Sequence, residues 1–245
     1  MTNYEFIRWL TYPIMPVHLQ TVRQHIIQLV KQNSSNKKVI DVLDVGGRKS
    51  PYTIGVAANI TLLDVPQEAG IKEDLHLGFT TAILATIQKK RSNIKDMLIQ
   101  DMTQSTLEDA SYDAVVSVEV IEHVEEDDLF VKNIAKVIKP GGWAYLTTPN
   151  GDYIKNEGPG KNPDHVRHYT KEQLQTLLAK YFDNVEVFYA VKTGKYRVQG
   201  LKSYKFNKPV STLKSVLANI INRFQSNGLA TSSRRTAHLI AIAYK

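Results

Sequence analysis

Short apolar runs alternate with helical patterns along the chain, an order typical of an α/β architecture with a mostly parallel sheet. Seven of these runs predict strands, at 39–44, 60–63, 97–100, 114–118, 143–148, 185–191 and 238–244. Apolar positions at helical spacing predict helices over 16–33 and 129–138, and a third helix that begins near Thr170. The spacing from Thr170 to Gln173 is that of a capping box. We therefore predict one α/β domain.

The same pattern divides the chain into four segments. Residues 1–36 form an N-terminal helical extension, 37–191 the core, 192–236 a basic helical insertion and 237–245 the final strand of the core. The first sixteen residues are rich in aromatic side chains and carry few charges. Two interpretations of them stay open, a lid over a substrate pocket and a helix packed against the edge of the sheet.

Charge is distributed unevenly along the 245 residues. The chain has a formal net charge of +7, but 192–245 holds 11 Lys and Arg and no acidic residue, which leaves 1–191 mildly acidic. The absence of Cys excludes disulfides, thiolate zinc sites and a Cys nucleophile. We find no signal-peptide pattern and no apolar run long enough to span a membrane, so we expect a cytoplasmic protein.

Within the basic insertion, apolar residues from Val210 to Phe224 fall on one face of a predicted helix. Three interpretations are open. The helix caps the active site as an extra core helix, or it lies on an anionic membrane, or it mediates dimerisation or nucleic-acid binding. Lys195-Tyr196-Arg197 interleaves basic and aromatic residues, as single-strand binders do, but no RNA-binding motif accompanies it.

Three acids follow three successive predicted strands, Asp44, Asp64 and Asp101, and Gly46-Gly47 follows the first of them. Ligands of open α/β sheets bind beyond the carboxyl ends of the strands, where carboxylates suit ribose hydroxyls and adenine edges. The segment from Gly46 to Ser50 lacks the glycine spacing of a nicotinamide site, and no phosphate-binding loop is present.

Over Val39 to Tyr189 the chain resembles the class I S-adenosylmethionine-dependent methyltransferases, in their small-molecule, methyltransferase type 11-like branch. The ordered motifs that carry the resemblance are Val42-Leu43-Asp44-Val45-Gly46-Gly47, Asp64, Asp101-Met102, Leu107 to Asp113, Val118 to Val124, Lys139 to Trp143, Pro149-Asn150 and Asp164 to Thr170. The resemblance implies a single Rossmann-like domain, with a seven-stranded, mostly parallel sheet, an antiparallel last strand and helices on both faces.

The resemblance also implies S-adenosylmethionine as the cofactor. The residues expected to bind it are Asp44, Gly46, Gly47, Arg48, Asp64, Val65, Asp101, Met102, Val118 and Glu119. Arg48 stands where the family has its second glycine. We hypothesise that its guanidinium neutralises the methionine carboxylate, the alternative being that Arg48 points into solvent.

If the acceptor is a hydroxyl, His is the usual general base near neutral pH. The candidates are His123, after the fourth strand, and His165 and His168, in the loop after the fifth, with structural roles as the alternative. The other four, His18, His25, His76 and His238, lie in helix or strand patterns and are interpreted as structural. We predict no metal site.

Taken together, the sequence predicts a biosynthetic enzyme that transfers a methyl group from S-adenosylmethionine to an oxygen or nitrogen of a small metabolite, such as a secondary metabolite, a sugar or a lipid-linked acceptor. One alternative is an RNA methyltransferase that uses the basic C-terminal segment. Another is a non-catalytic interaction or membrane-peripheral protein on the same fold. We expect a small-molecule acceptor as partner, no nucleic acid, and a monomer or homodimer. A contact of 210–224 with an anionic membrane surface stays one of the open interpretations.

Overall fold

The structure is a computed structural model that describes residues 1–34, 39–47, 50–65, 81–202, 204 and 207–245. The helices are α1 (Asn3–Thr11), α2 (Val17–Asn33), α3 (Thr81–Lys90), α4 (Asp127–Val137), α5 (Lys171–Leu178), α6 (Lys195–Gly200) and α7 (Pro209–Gln225). The strands are β1 (Asp41–Val45), β2 (Asn59–Asp64), β3 (Ile94–Ile99), β4 (Tyr112–Val118), β5 (Ile138–Pro149), β6 (Asn184–Lys192) and β7 (Thr236–Tyr244).

All seven strands join one sheet in the order β3-β2-β1-β4-β5-β7-β6. Neighbours from β3 to β5 are parallel, and β7 runs antiparallel to both β5 and β6. This arrangement confirms the predicted fold. β1 pairs with β2 on one side and with β4 on the other. The strand order therefore reverses at the carboxyl end of β1, which is where ligands of such sheets bind.

Helices cover both faces of the sheet, as predicted. One face packs on α4 and α5, through Phe130, Ile134 and Leu174, while the other packs on α2 through Val22 and Ile26. Leu43 faces the first cluster, whereas its neighbour Val42 faces the second, because successive side chains of a strand point to opposite faces.

The start of the fifth strand differs most from the prediction. The fifth strand was predicted to begin at 143, but β5 begins at Ile138 and includes Lys139 to Gly142. The register jumps there, because Tyr112 pairs with Ile138 whereas Ala114 pairs with Trp143. Gly141, at φ +76°, provides the left-handed backbone that this bulge requires.

The N-terminal extension is tied to the β3 edge of the sheet. Thr2 and Glu5 form a capping box at the start of α1, and the Glu5 carboxylate accepts hydrogen bonds from the backbone and hydroxyl of Ser92, at 2.7 and 2.9 Å. For α1 this supports the sheet-edge interpretation. Pro16, Val17 and His18, which come after α1, instead line a cavity beside the carboxyl end of β4.

The basic insertion forms α6 and α7, which pack against each other, and α7 also packs against α2 and β6. The apolar stripe of α7 does not enter the core, but the opposite face of the helix lines the cavity beside Glu119 through Asn219 and Asn222. Its buried residues are Ser215, Ala218, Asn219 and Asn222. No helix of the described part of the chain is long and apolar enough to cross a membrane.

Candidate active site

The turn after β1 is closed by two glycines that leave no room for side chains. Gly46 has φ +73° and donates its N–H to the carbonyl of Leu63, at 2.8 Å. A Cβ on Gly46 would lie 2.6 Å from Cγ2 of Val120, and one on Gly47 would lie 2.5 Å from Cγ of Asp44. The backbone of this turn therefore lies directly on β1 and on the segment after β4. The predicted partner Arg48 lies outside the described residues.

Asp44 lies beneath the turn and is buried. Its Oδ2 accepts a hydrogen bond from Thr53 Oγ1, which in turn accepts one of 2.7 Å from Arg91 Nη2. Burial raises the pKa of Asp44 to about 6, although the Thr53 hydrogen bond and the Arg91 charge act in the opposite direction. In this structure Asp44 therefore supports the turn from below.

The other two acids lie at the same edge of the sheet. Asp64 ends β2, is partly exposed, and accepts the N–H of Val65 on its Oδ1 at 3.0 Å. Asp101 follows β3, is exposed, and caps the short 3-10 turn of Met102–Gln104 by accepting from Thr103 N–H at 2.8 Å. Met102 is buried in the core. The topology thus brings the predicted acids to one edge, with the Asp64 and Asp101 side chains accessible to a ligand.

Glu119 follows the end of β4 and stands in a strained conformation. Its φ is +56°, in the left-handed region that a non-glycine residue rarely adopts. Thr147 on β5 holds it from both sides, since its hydroxyl donates to Glu119 Oε1 at 2.7 Å and its carbonyl accepts the Glu119 N–H at 3.0 Å. Such strain persists where the surroundings over-determine the backbone, and it is concentrated at functional sites.

Two histidines that the sequence interpretation treated as structural lie against this carboxylate. His238 Nδ1 is 3.2 Å from Glu119, and His18 Nε2 is 3.7 Å from it. The two imidazole rings stack with their centroids 3.9 Å apart. Both ring nitrogens of His18 are buried and have no hydrogen-bond partner among the described residues. Glu119 and these histidines come from α2, β7 and the end of β4, so only the fold brings them together.

Electrostatics fixes the protonation of this cluster. Arg197 Nη2 lies 3.0 Å from His238 Nε2, so that nitrogen must be the acceptor and Nδ1 carries the proton towards Glu119. Burial and the nearby His238 lower the pKa of His18 to about 3, which leaves its imidazole neutral. Burial opposes the charge of Glu119, but the hydrogen bonds from His238 and the Thr147 hydroxyl outweigh it and hold the pKa of Glu119 below its usual range.

These groups line a cavity of about 180 Å³. Its remaining walls combine apolar and polar side chains, namely Pro16, Val17, Tyr52, Val191, Leu201, Asn219 and Asn222. Val191, at φ +64°, is a second strained non-glycine residue on the cavity wall. His18, Glu119 and His238 would suit a cation, but the Arg197 guanidinium on His238 disfavours one. The cavity is therefore suited to a small, partly polar organic molecule.

The three predicted bases do come together, but away from this cavity. His165 Nδ1 is 2.7 Å from His168 Nε2, and the His165 ring meets that of His123 edge-on at 4.7 Å. The ring nitrogens are also occupied by backbone, since His123 Nδ1 is 2.7 Å from the carbonyl of Asp164 and His168 Nδ1 is 2.7 Å from that of Ile154. These contacts fasten the loop after β5 to the segment after β4.

Glu122 is a further buried acid beside this cluster, and the sequence interpretation did not single it out. Its Oε2 has no hydrogen-bond partner among the described residues. Burial and the neighbouring charge of Glu119 raise its pKa to about 9, so Glu122 is protonated at neutral pH. A neutral Glu122 places no second negative charge beside Glu119.

Comparison with known proteins identifies the fold and its chemistry. A family model described as a methyltransferase domain matches residues 18–187. The ubiquinone biosynthesis O-methyltransferase of Rickettsia akari (strain Hartford) is 28% identical over 181 residues, which cover 69% of this chain and 67% of the relative.

Two solved structures share the fold. A Thermotoga maritima protein described as a SAM-dependent methyltransferase, possible histamine N-methyltransferase, superposes with a TM-score of 0.53 at 14% identity and covers 98% of this chain and 95% of its own. Phosphoethanolamine N-methyltransferase 2 of Haemonchus contortus, solved with S-adenosyl-L-methionine, gives 0.53 at 15% identity over 91% of this chain and 52% of its own.

Proposed function

This chain belongs to the class I S-adenosylmethionine-dependent methyltransferases, and we propose that it methylates a hydroxyl oxygen of a small molecule bound in the Glu119 cavity. The observation that carries this proposal is the position of Glu119. Its backbone belongs to the segment that packs on the Gly46 turn, and its carboxylate forms one wall of the cavity. The matched relative is also named as an O-methyltransferase, which supports oxygen as the acceptor atom.

The residues at the sheet edge fit the cofactor. We propose that Asp64 binds the ribose hydroxyls, that Asp101 with Met102 holds the adenine, and that the Gly46-Gly47 backbone lies against the methionine end. A Cβ on Gly46 would collide with Val120 and one on Gly47 with Asp44, so the two glycines let the backbone of this turn pack directly at the end of β1, where the cofactor is expected. When bound, S-adenosylmethionine supplies an electrophilic methyl group on a positively charged sulfur.

His18 is the group best suited to receive the acceptor hydroxyl. It is neutral, its ring nitrogens are unpaired among the described residues, and it faces the cavity. We propose that the hydroxyl donates to His18 Nε2, which orients an oxygen lone pair towards the methyl carbon. Bound S-adenosylmethionine would supply the methyl group to this oxygen, and His18 would accept the hydroxyl proton. The Glu119 carboxylate, 3.7 Å away, stabilises the resulting imidazolium.

His238 and Arg197 position Glu119 for this role. The Nδ1–H of His238 and the hydroxyl of Thr147 both donate to the carboxylate, so its charge stays at the cavity wall. Arg197 prevents His238 from turning, because its guanidinium occupies the other ring nitrogen. The cluster therefore holds one fixed negative charge beside one unpaired neutral imidazole.

Calorimetric titration with S-adenosylmethionine tests the cofactor half of the proposal. We expect saturable binding at one site, and at least about tenfold weaker binding by an Asp64→Asn variant, because a charged hydrogen bond contributes roughly 1.5–3 kcal/mol. Absence of binding to the wild-type protein would contradict the enzymatic function itself.

The acceptor half needs a different readout. We propose to measure S-adenosylhomocysteine release with a panel of catechols and simple phenols. His18→Asn is expected to lower kcat by roughly a hundredfold while leaving the cofactor Kd unchanged. His25→Asn is the matched control, since His25 lies on the same helix and contacts Tyr145 instead of the cavity. An equal loss in both variants would show that His18 acts only through the stability of α2.

We further propose that the enzyme is cytoplasmic and acts as a monomer or homodimer. RNA is a less favoured partner, because the Glu119 cavity is too small for a nucleotide chain and no RNA-binding motif accompanies the basic insertion.

A further inference from the structure

The outer face of α7 is a continuous apolar surface. The side chains of Val210, Leu213, Leu217, Ile220, Ile221 and Phe224 are all exposed, Phe224 to 73%. At 100° per residue these six positions fall within an arc of about 100° around the helix axis. We call this surface the α7 stripe. Soluble monomers seldom expose apolar patches of this kind without a partner.

The opposite face of α7 is polar, buried and fully engaged. Asn219 Nδ2 donates to the carbonyls of Ile14 and Gly200, at 3.0 and 3.1 Å, and Asn222 Nδ2 donates to the carbonyl of Lys192 at 2.7 Å. The hydroxyl of Ser215 bonds to carbonyls of α6. The helix therefore cannot rotate to bury its stripe without leaving these carbonyls and amides unpaired, at a cost of 1–3 kcal/mol each.

The segment that carries the stripe has side-chain charges of one sign. Residues 192–245 contain 11 Lys and Arg and no Asp or Glu. Lys202, Lys208 and Lys214 are exposed, and Lys214 adjoins one border of the stripe on α7. Lysines beside an apolar face keep their ammonium groups in water while their stems extend along the apolar surface. The segment thus combines an apolar stripe with exposed lysines, one of them directly beside the stripe.

We propose that the α7 stripe docks on the surface of an anionic lipid bilayer. Its apolar side chains would enter the boundary between headgroups and acyl chains, while the surrounding lysines bind lipid phosphates. A second copy of this chain fits less well, because symmetric docking would bring two segments of +11 together. Nucleic acid would satisfy the lysines, but it offers nothing that buries six apolar side chains.

Vesicle co-sedimentation of the full-length protein tests this proposal. We expect binding to vesicles of phosphatidylglycerol and phosphatidylcholine, weak binding to phosphatidylcholine alone, and a decrease as salt increases. Leu217→Gln with Phe224→Gln should reduce the partition coefficient on anionic vesicles roughly tenfold or more, since both side chains would leave the acyl boundary. Lys208→Gln with Lys214→Gln should reduce it by a comparable factor.

The matched control is Leu129→Gln, which removes an exposed leucine from α4 and should leave vesicle binding unchanged. Equal binding to neutral and anionic vesicles would overturn the proposal, as would unchanged binding by the Leu217 and Phe224 double variant. Concentration-dependent dimerisation that this variant abolishes, without vesicle binding, would assign the stripe to a second copy instead. Binding is measured without cofactor or acceptor, so the outcome is independent of the proposed methyl transfer.

Discussion

The contact between Gly46 and Val120 offers a direct test of how the cofactor turn is built. Gly46→Ala introduces a Cβ that would lie 2.6 Å from Val120 Cγ2, in a backbone with φ +73°. The left-handed backbone alone costs an alanine roughly 1–2 kcal/mol. Overpacking against Val120 adds roughly 1–3 kcal/mol. We therefore expect Gly46→Ala to lower the free energy of unfolding by about 2–5 kcal/mol.

Gly141 separates the two contributions. It has nearly the same backbone, with φ +76°, but a Cβ there would meet no atom within 4 Å. Gly141→Ala should therefore cost only the backbone part, about 1–2 kcal/mol. Adding Val120→Ala to Gly46→Ala removes the obstructing methyl groups. The double variant should therefore lose about 1–3 kcal/mol less free energy of unfolding than the sum of the losses in the two single variants.

Urea unfolding at pH 7 measures each of these free energies, and calorimetry with S-adenosylmethionine measures the matching Kd. We expect Gly46→Ala to weaken cofactor binding more than tenfold, and Gly141→Ala to leave it unchanged, because Gly141 lies in the β5 bulge. Equal costs for the two glycine variants, or no coupling between positions 46 and 120, would refute the inference that Val120 sets the position of the turn.

Three further changes have definite expected outcomes. Because burial raises the pKa of Asp44 to about 6, this carboxyl stabilises the fold at acid pH and loses that contribution as the pH rises through 6. The free energy of unfolding of the wild-type protein should therefore fall by up to about 3 kcal/mol from pH 4 to 7. Asp44→Asn should remove most of this fall. Glu122, with its pKa raised to about 9, behaves likewise between pH 5 and 9, so Glu122→Gln should increase the Tm progressively over that range. Asn219→Leu should lower the free energy of unfolding in urea by about 2–4 kcal/mol, because it leaves several buried hydrogen-bond partners unpaired. The control Ile220→Gln changes an exposed side chain and should lower it by less than about 1 kcal/mol.

The strands were predictable because their apolar runs are short and end in acids or turn residues. Val42 and Leu43 are both fully buried, since a central parallel strand is covered on its two faces, and this gives a continuous apolar run. The bulge at Lys139 to Gly142 was not predicted, because Pro-Gly-Gly is equally typical of a turn before a strand. Only the pairing of β5 with β4 distinguishes a bulge inside the strand from a turn before it.

Hydrophobic periodicity predicted the helix α7 but not the side by which it packs. The pattern indicates that one face of the helix is apolar, and in a soluble protein the apolar face is normally the buried one. Here Ser215, Asn219 and Asn222 compensate for the missing apolar contact, because they satisfy backbone carbonyls of α6, of Lys192 and of the segment before α2. Their partners are distant in sequence, so no local signal reveals this arrangement.

The same limitation explains why the cavity histidines were missed. Glu119 was predicted from the motif after the fourth strand, but His18 precedes it in α2 and His238 follows it in β7. Their flanking residues are ordinary for an amphipathic helix and a buried strand. A histidine in such a pattern is usually structural, and only tertiary contact with Glu119 separates these two from His25.

The helix α7 connects the two proposals. Asn219 and Asn222 on its inner face line the Glu119 cavity, while Leu217 and Phe224 on its outer face belong to the stripe. A single helix, about 10 Å across, therefore separates the proposed acceptor site from the proposed lipid surface. Leu201, at the end of α6, lines the cavity and is also half exposed, so the cavity wall reaches the protein surface beside α7. An acceptor dissolved in lipid would therefore enter the cavity beside α7 and Leu201, close to His18.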